Sequence, residues 1–175
     1  PGIKENAGIF NHTQGWGVIA ECLRGNGERA YEYLRATMPS AYNDRAELRQ
    51  SEPYVHAQTT YSAFSPRAGN TRTSWLTGAA AWSYFSACHY VPGIQPALNG
   101  LCIDPCIPAA WEGFKAKRVF RGKTWHIEVH NPEHVCRGVT RILVDGTALK
   151  DNLVPANLPG SEHRVEVWLG KQVRQ

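Results

Sequence analysis

Residues able to do chemistry gather in two stretches. Gly2 to Asn11 reads as a loop, polar at one end and apolar at Gly8-Ile9-Phe10, that delivers Lys4, Glu5, Asn6 and His12 to a common region. The second stretch runs from Ser74 to Phe85, where the small residues Gly78-Ala79-Ala80-Ala81 and several aromatics recur at helical spacing. It predicts a buried helix whose first turn faces something polar. Thr73 or Ser74 would cap its free N–H groups, and the low surface beside Gly78 would let a ligand or another helix approach the backbone. Helix N-termini attract anions, so anion binding is the chemistry open to this stretch. The plainer readings are tight helix packing for Gly78 and the alanines, and a helix-flanking role for His12.

Two other groupings invite a metal and do not support one. His126, His130 and His134 stand four apart, but on a strand His126, Glu128 and His130 share the solvated face opposite Trp125, Ile127 and Val129, while His134 lies beyond Asn131-Pro132. Cys102 and Cys106 are the only close cysteine pair, their spacing is not that of a zinc knuckle, and no second pair completes four ligands. No metal is expected.

The elements that must position these residues change character along the chain. From Thr13 the residues Trp16, Ile19, Ala20 and Leu23 recur at three and four, and a helix stops at Gly25-Asn26-Gly27. A second helix from Glu28 to about Thr37 turns Ala30, Tyr31 and Leu34 inward, so the two form an antiparallel hairpin. Ala41 to Arg72 reads as a long irregular segment, and its Tyr54, Tyr61 and Phe64 argue against disorder. Pro92-Gly93 and Gln95-Pro96 mark a stop. Beyond about Leu98 the period becomes two: Phe114 to Phe120, Trp125 to Val129, Ile142 to Val144 and Val165 to Leu169 alternate apolar with polar, separated by Arg121-Gly122, Asn131-Pro132, Asp145-Gly146 and Pro159-Gly160-Ser161. An α part is therefore followed by an antiparallel β part, with the division at 97/98.

Composition narrows the class. A chain of 175 residues with 42% hydrophobic content can bury one core or two small ones. No run of 18 or more apolar residues exists, so no membrane partner is expected. The start, Pro1-Gly2-Ile3, has neither an initiating Met nor the form of a signal peptide, as though cut from something longer. A net charge of +4 with scattered Lys and Arg argues against a nucleic-acid partner. Five cysteines, an odd number in apolar segments, are expected as reduced thiols in a cytoplasmic protein.

Four segments in order, Gly2-Ile3-Lys4-Glu5-Asn6-Ala7-Gly8-Ile9-Phe10-Asn11-His12, Glu52-Pro53-Tyr54-Val55, Ser74-Trp75-Leu76-Thr77-Gly78 and Ile103-Asp104-Pro105-Cys106-Ile107-Pro108, resemble the inverting disaccharide phosphorylases of the cellobiose and chitobiose phosphorylase family. The resemblance covers nearly the whole chain but only the C-terminal part of that architecture. It implies the last helices of an (α/α)6 barrel in residues 1–97 and a C-terminal antiparallel β-sandwich, jelly-roll-like, in residues 98–175. It also implies a reaction: inorganic phosphate attacks the anomeric carbon of a β-linked disaccharide and gives an α-sugar 1-phosphate with inversion.

An inverting glycosidase needs an acid and a base; phosphate arrives already anionic, so one acid suffices and an anion cradle replaces the base. His12, Thr77 and Gly78 match the family's phosphate-binding positions, Gln58 matches a position on the donor sugar, and Lys4 and Glu5 match positions on the acceptor sugar. The family's general acid is an aspartate expected upstream of this chain, which leaves no catalytic residue here; the competing reading, Glu5 as that acid, suffers from Lys4 beside it. Asp44, Glu47, Glu52 and Arg67 read as surface charges. The resemblance implies no cofactor, phosphate being a substrate, and suggests a homodimer completed by the remainder of a parent polypeptide. Among substrates cellobiose stands first and N,N'-diacetylchitobiose second. Two other readings compete: a non-catalytic carbohydrate-binding domain stacking sugars on Trp75, Trp82, Trp111 and Trp125, and an inverting hydrolase, which would need a second carboxylate where His12 and Thr77 stand.

Overall fold

The computed structural model describes residues 1–171. The chain is α plus β and divides into two compact units, residues 1–21 with 29–87, and residues 22–28 with 88–175. The expected division at 97/98 falls inside a hairpin, because β4 (Ile94–Ala97) pairs antiparallel with β5 (Gly100–Ile103). Pro96 had read as a stop, yet β4 is an edge strand, where a missing N–H leaves no ladder bond unmade.

The first unit contains a small antiparallel sheet in the order β1 (Ile9–Phe10), β2 (Ala57–Thr60), β3 (Thr71–Ser74). Around it stand helices α1 (Gln14–Leu23), α2 (Gly27–Thr37), the short α3 (Ala46–Arg49) and α4 (Ala79–Phe85). The segment expected to be irregular thus holds a 3-10 turn (Pro39–Arg45), α3 and two strands. In α2, Ala30 and Leu34 are buried as expected and Tyr31 is half-buried. In α1 the buried side is Gly15, Val18 and Cys22, while Trp16 and Leu23 are exposed. The reason is at Gly15: a β-carbon there would stand 2.9 Å from the Trp82 backbone oxygen, so only glycine lets α1 close onto α4.

In the second unit five strands order as β6 (Gly113–Phe120), β7 (Lys123–His130), β11 (Glu162–Leu169), β8 (Val139–Val144), β9 (Thr147–Ala148), and β10 (Leu153–Pro155) joins β5 and β4 in a separate three-stranded sheet. The two hairpin turns of the five-stranded sheet are Arg121-Gly122 (φ 50° and 73°) and Asp145-Gly146 (φ 49° and 81°), two-residue loops with both residues left-handed, whose twist matches that of the strands they join. Among the described residues all strand pairs are antiparallel except one: β11 lies between β7 and β8 and runs parallel to β7. Trp125, Ile127 and Val129 on β7 and Val165, Val167 and Leu169 on β11 are buried, whereas His126 faces solvent. His130 is half-buried, stacked on Trp168 at 5.1 Å.

The segment Ile103–Pro108 ties this unit together. Asp104 N–H donates to Gly93 O, Cys106 N–H to Val91 O and Ile107 N–H to Cys136 O. Asp104 binds the Arg137 guanidinium, which it holds above its usual pKa, and Arg137 Nη1 donates to Leu23 O at 2.9 Å, satisfying a carbonyl at the end of α1. The N-terminus of α2 lies as close: a β-carbon on Gly27 would meet the Ile107 carbonyl oxygen at 2.0 Å. Gly27→Ala is therefore expected to cost about 1–3 kcal/mol, because backbone rather than a flexible side chain must move, and a urea titration reads it.

His163, nearly fully buried on β11, stacks on Trp125 at 4.6 Å and shares a 2.7 Å hydrogen bond with Asp145. That bond, with the Arg164 N–H, holds the Asp145 carboxyl below its ordinary pKa. A lowered folded pKa favours the fold while the group is ionised: the contribution is full above the unfolded carboxyl's pKa of about 4 and is lost as pH falls through the folded value. Asp145 is half exposed, so the effect is less than about 1 kcal/mol. In an acid titration from pH ~5 downward, Asp145→Asn is expected to flatten the stability loss below pH ~4.

All five cysteines are free thiols. Among the described residues no three metal-ligating side chains converge, and no helix is long and apolar enough to cross a membrane.

Candidate functional site

The candidate residues of the first unit are positioned by the β1–β3 sheet and the two connections at its ends. Asn11 begins a 3-10 turn (Asn11–Thr13) directly after β1, and its amide donates to Ala57 O at 3.0 Å and Thr60 Oγ1 at 3.1 Å on β2. This fastens the turn that carries His12. The His12 ring is half-buried, edge-on to Phe10 at 4.5 Å and tilted against Trp16 at 6.0 Å; Trp16 in turn meets Trp82 of α4 edge-on at 5.5 Å. One aromatic line connects His12 to α4.

The stretch from Ser74 to Gly78 is not helical, which corrects the expectation of a helix starting at Thr73 or Ser74. Ser74 is the last residue of β3, paired with Ala57, and α4 starts only at Ala79. The N-cap is Gly78, and Thr77 just before it accepts the Ala79 N–H on its Oγ1 at 3.0 Å. Strand pairing and helix start compete for the same residues, and the β2 edge wins as far as Ser74. Nor is the helix buried: Ala79 and Ser83 are, while Trp75 and Leu76 before it and Tyr84 within it are exposed.

The connection is strained. Thr73 (φ 59°) and Trp75 (φ 70°) are both left-handed, and Leu76 N–H donates to Ser74 O across Trp75, the bond of a positive-φ γ-turn, which is a rare conformation. A β-branched residue such as Thr73 adopts this region at a cost of about 1–3 kcal/mol. Such strain persists where surrounding contacts impose it, and one is visible: Gln58 Nε2 on β2 donates to Leu76 O at 3.4 Å. Gln58 and the Thr77-Gly78 turn are thus brought together. Gly78 is exposed, and a β-carbon there would meet only the Trp82 ring, at 3.7 Å, so its side stays open.

Lys4 and Glu5 stand apart on a tight turn of their own. Lys4 (φ 47°) and Ala7 (φ 61°) are left-handed, Asn6 N–H donates to Ile3 O and Gly8 N–H to Lys4 O. The turn is moored by Ser62 N–H donating to Gly2 O at 3.0 Å, and both side chains are exposed. Of the tryptophans considered as sugar platforms, Trp125 is core, whereas Trp75 is 70% exposed. Trp75 has the exposed Tyr54 ring 6.4 Å away and Glu52 Oε1 at 3.4 Å from its indole N–H. Glu52, expected as a surface charge, is exposed.

Across 169 residues and 97% of its length, the chain is 40% identical to the N,N'-diacetylchitobiose phosphorylases of Vibrio proteolyticus and Vibrio furnissii. It is 31% identical over 95% of its length to the solabiose phosphorylase of Paenibacillus borealis. It spans about a fifth of the length of these relatives, 21% of the first two and 22% of the third. Among solved structures, a family GH92 α-mannosidase of Bacteroides thetaiotaomicron aligns with 89% of the chain and 17% of its own at TM-score 0.38 and 11% identity, too distant to bear on fold or function. The catalytic domain of the glycosyl hydrolase 94 superfamily matches residues 1–93, just over half of the 175. The chain belongs to the glycosyl hydrolase 94 superfamily, the family of the disaccharide phosphorylases that its four segments resemble.

Proposed function

We propose that this chain is part of a phosphorylase that cleaves N,N'-diacetylchitobiose with inorganic phosphate, with inversion. What supports the substrate is the 40% identity to two proteins of that name; this reverses the order in which cellobiose stood first. What supports phosphorolysis over hydrolysis is that the relatives reported above are named phosphorylases, together with the types of the three matched residues, an imidazole at His12, a hydroxyl at Thr77 and an open glycine at Gly78.

In this reading a phosphate oxygen bonds to the anomeric carbon as the bond from that carbon to the bridging oxygen breaks. The bridging oxygen takes a proton from a carboxylic acid outside this chain and leaves as a hydroxyl of the released sugar. The phosphate enters opposite the leaving group, so a β-linkage yields an α-sugar 1-phosphate. His12 and the Thr77 hydroxyl donate to the phosphate: Thr77 Oγ1 already accepts the Ala79 N–H, which leaves its proton for an anion. Gly78 lets a phosphate oxygen approach the backbone. Gln58 spends one N–H on Leu76 O and keeps its carbonyl and second N–H for donor-sugar hydroxyls. Lys4 and Glu5, exposed on their turn, bind the acceptor sugar. The mechanism calls for no metal or cofactor, since phosphate brings the charge and proton transfer frees the leaving group.

We place the first unit among the closing helices of an (α/α)6 barrel and the second in a β-sandwich, with the remainder of a parent polypeptide completing the site. A homodimer follows the family resemblance, and a cytoplasmic location follows the five free thiols.

The test is release of sugar 1-phosphate by the full-length protein, offered N,N'-diacetylchitobiose or cellobiose, with and without phosphate. Phosphate-dependent product from N,N'-diacetylchitobiose, at a kcat/KM at least about tenfold above that for cellobiose, is expected, the scale of one displaced hydrogen-bonded group. Equal release without phosphate would make the protein a hydrolase, and sugar binding without turnover would make it a binding module.

A further inference from the structure

The geometry of the first unit points to a second ligand site, separate from the six candidate residues: a cavity built for a hexose-sized anion, that is, a sugar carrying a phosphate or a carboxylate. The cavity measures about 480 Å³, and Lys4, Glu5, His12, Gln58, Thr77 and Gly78 do not line it. That volume lies within the range of small-molecule sites, roughly 300–1,000 Å³. Its lining is basic, although one of its two arginines, Arg45, has the Asp44 carboxylate 3.6 Å away. Arg45, Arg49 and His56 line it together with Tyr33, Tyr42 and Tyr61, and no carboxylate does.

Arg49 is the informative member. Its Nε donates to Ser51 Oγ at 3.1 Å and its Nη2 to Val55 O at 3.1 Å, both neutral acceptors, and no carboxylate pairs with it among the described residues. Burial pulls its pKa down, and burial together with the Arg49 charge pulls that of His56 down as well. A half-buried guanidinium without a counter-charge costs the fold desolvation energy that a bound anion would offset.

The guanidinium is also held in place before any ligand arrives. Thr71 Oγ1 donates to Arg49 O at 2.9 Å, and Asn70 Nδ2 donates to Gln50 Oε1 at 2.8 Å, so α3 is pinned to the start of β3. Tyr42 is bracketed by Arg45 at 5.1 Å and Arg49 at 5.5 Å, and its hydroxyl donates to Ala36 O at 2.6 Å. A fixed guanidinium, that of Arg49, beside tyrosine rings suits a ligand with an anionic group on a body that is hydroxylated at its edge and apolar on its face, as a pyranose is.

Isothermal titration calorimetry on the full-length protein tests this without relying on turnover, so the result stands whether or not phosphorolysis does. Carrying His12→Ala and Thr77→Ala, the protein is titrated with glucose 6-phosphate, with glucuronate and with glucose. One equivalent of at least one of the two anions is expected to bind, glucose about tenfold or more weaker, and Arg49→Gln is expected to weaken the anion by about tenfold or more, the scale of one charged hydrogen bond. Which anion binds distinguishes phosphate from carboxylate. Arg45 is 55% exposed, so Arg45→Gln serves as the second variant and decides the matter should Arg49→Gln fail to fold. Absence of anion binding, glucose binding as tightly as either anion, or affinity unchanged by the arginine variants overturns the proposal.

Discussion

His12→Ala is expected to lower phosphorolysis by about 10²–10³-fold, with the loss falling on phosphate rather than on the disaccharide. That is the range found when one preorganised donor to a reacting anion is removed. The His12 ring is set before phosphate arrives: Phe10 meets it edge-on at 4.5 Å, Trp16 lies 6.0 Å away, and Asn11 anchors the turn to β2. A donor held in this way loses little freedom on binding, so its removal is fully felt. The measurement is initial rate against phosphate at saturating disaccharide, then the reverse. A rise in the KM for phosphate with the disaccharide KM unchanged supports the cradle. An equal effect on both substrates, or a loss below about threefold, would return His12 to a helix-flanking role.

Trp125→Ala is expected to cost the second unit about 3–5 kcal/mol, as truncations of large buried aromatics do. Trp125 is wholly buried on β7, which sits between β6 and β11; its indole N–H donates to Phe120 O at 3.4 Å, and its ring stacks on His163. Truncation leaves a void and takes the stacking partner from the imidazole that holds Asp145. Native-state hydrogen exchange on β7 and β11 reads the effect locally. Trp125→Phe is expected to lose less than half as much, since it keeps an aromatic face and most of the volume. A loss below about 1 kcal/mol for Trp125→Ala would mean that this ring does not organise the sheet.

The four segments that carry the family resemblance divide by role. Ile103–Pro108 is scaffold: its backbone binds Gly93, Val91 and Cys136, and Asp104 holds the arginine that closes α1. The other three lie in the first unit; the first holds the left-handed residues Lys4 and Ala7, and the third holds Trp75, with Thr73 just before it.

What the sequence determined by itself was everything carried by short-range pattern. Alternation over Phe114–Phe120, Trp125–Val129, Ile142–Val144 and Val165–Leu169 was enough to find the strands of the large sheet, and Arg121-Gly122 and Asp145-Gly146 marked its two tight turns, because side-chain period and left-handed turn residues are local properties. The segments naming the family were equally legible. Three things were decided only in the tertiary structure. One is the placement of β11 between β7 and β8, parallel to one and antiparallel to the other, since alternation says which face a residue takes and nothing about its neighbour. Another is the buried side of α1, set by the close approach at Gly15 rather than by its larger apolar residues. The third is the fate of Ser74 to Gly78, which local propensity writes as a helix start and β2 draws out as a strand end and a strained turn. Each depends on residues far apart in the chain, and contacts of that kind override a local preference worth well under 1 kcal/mol per residue.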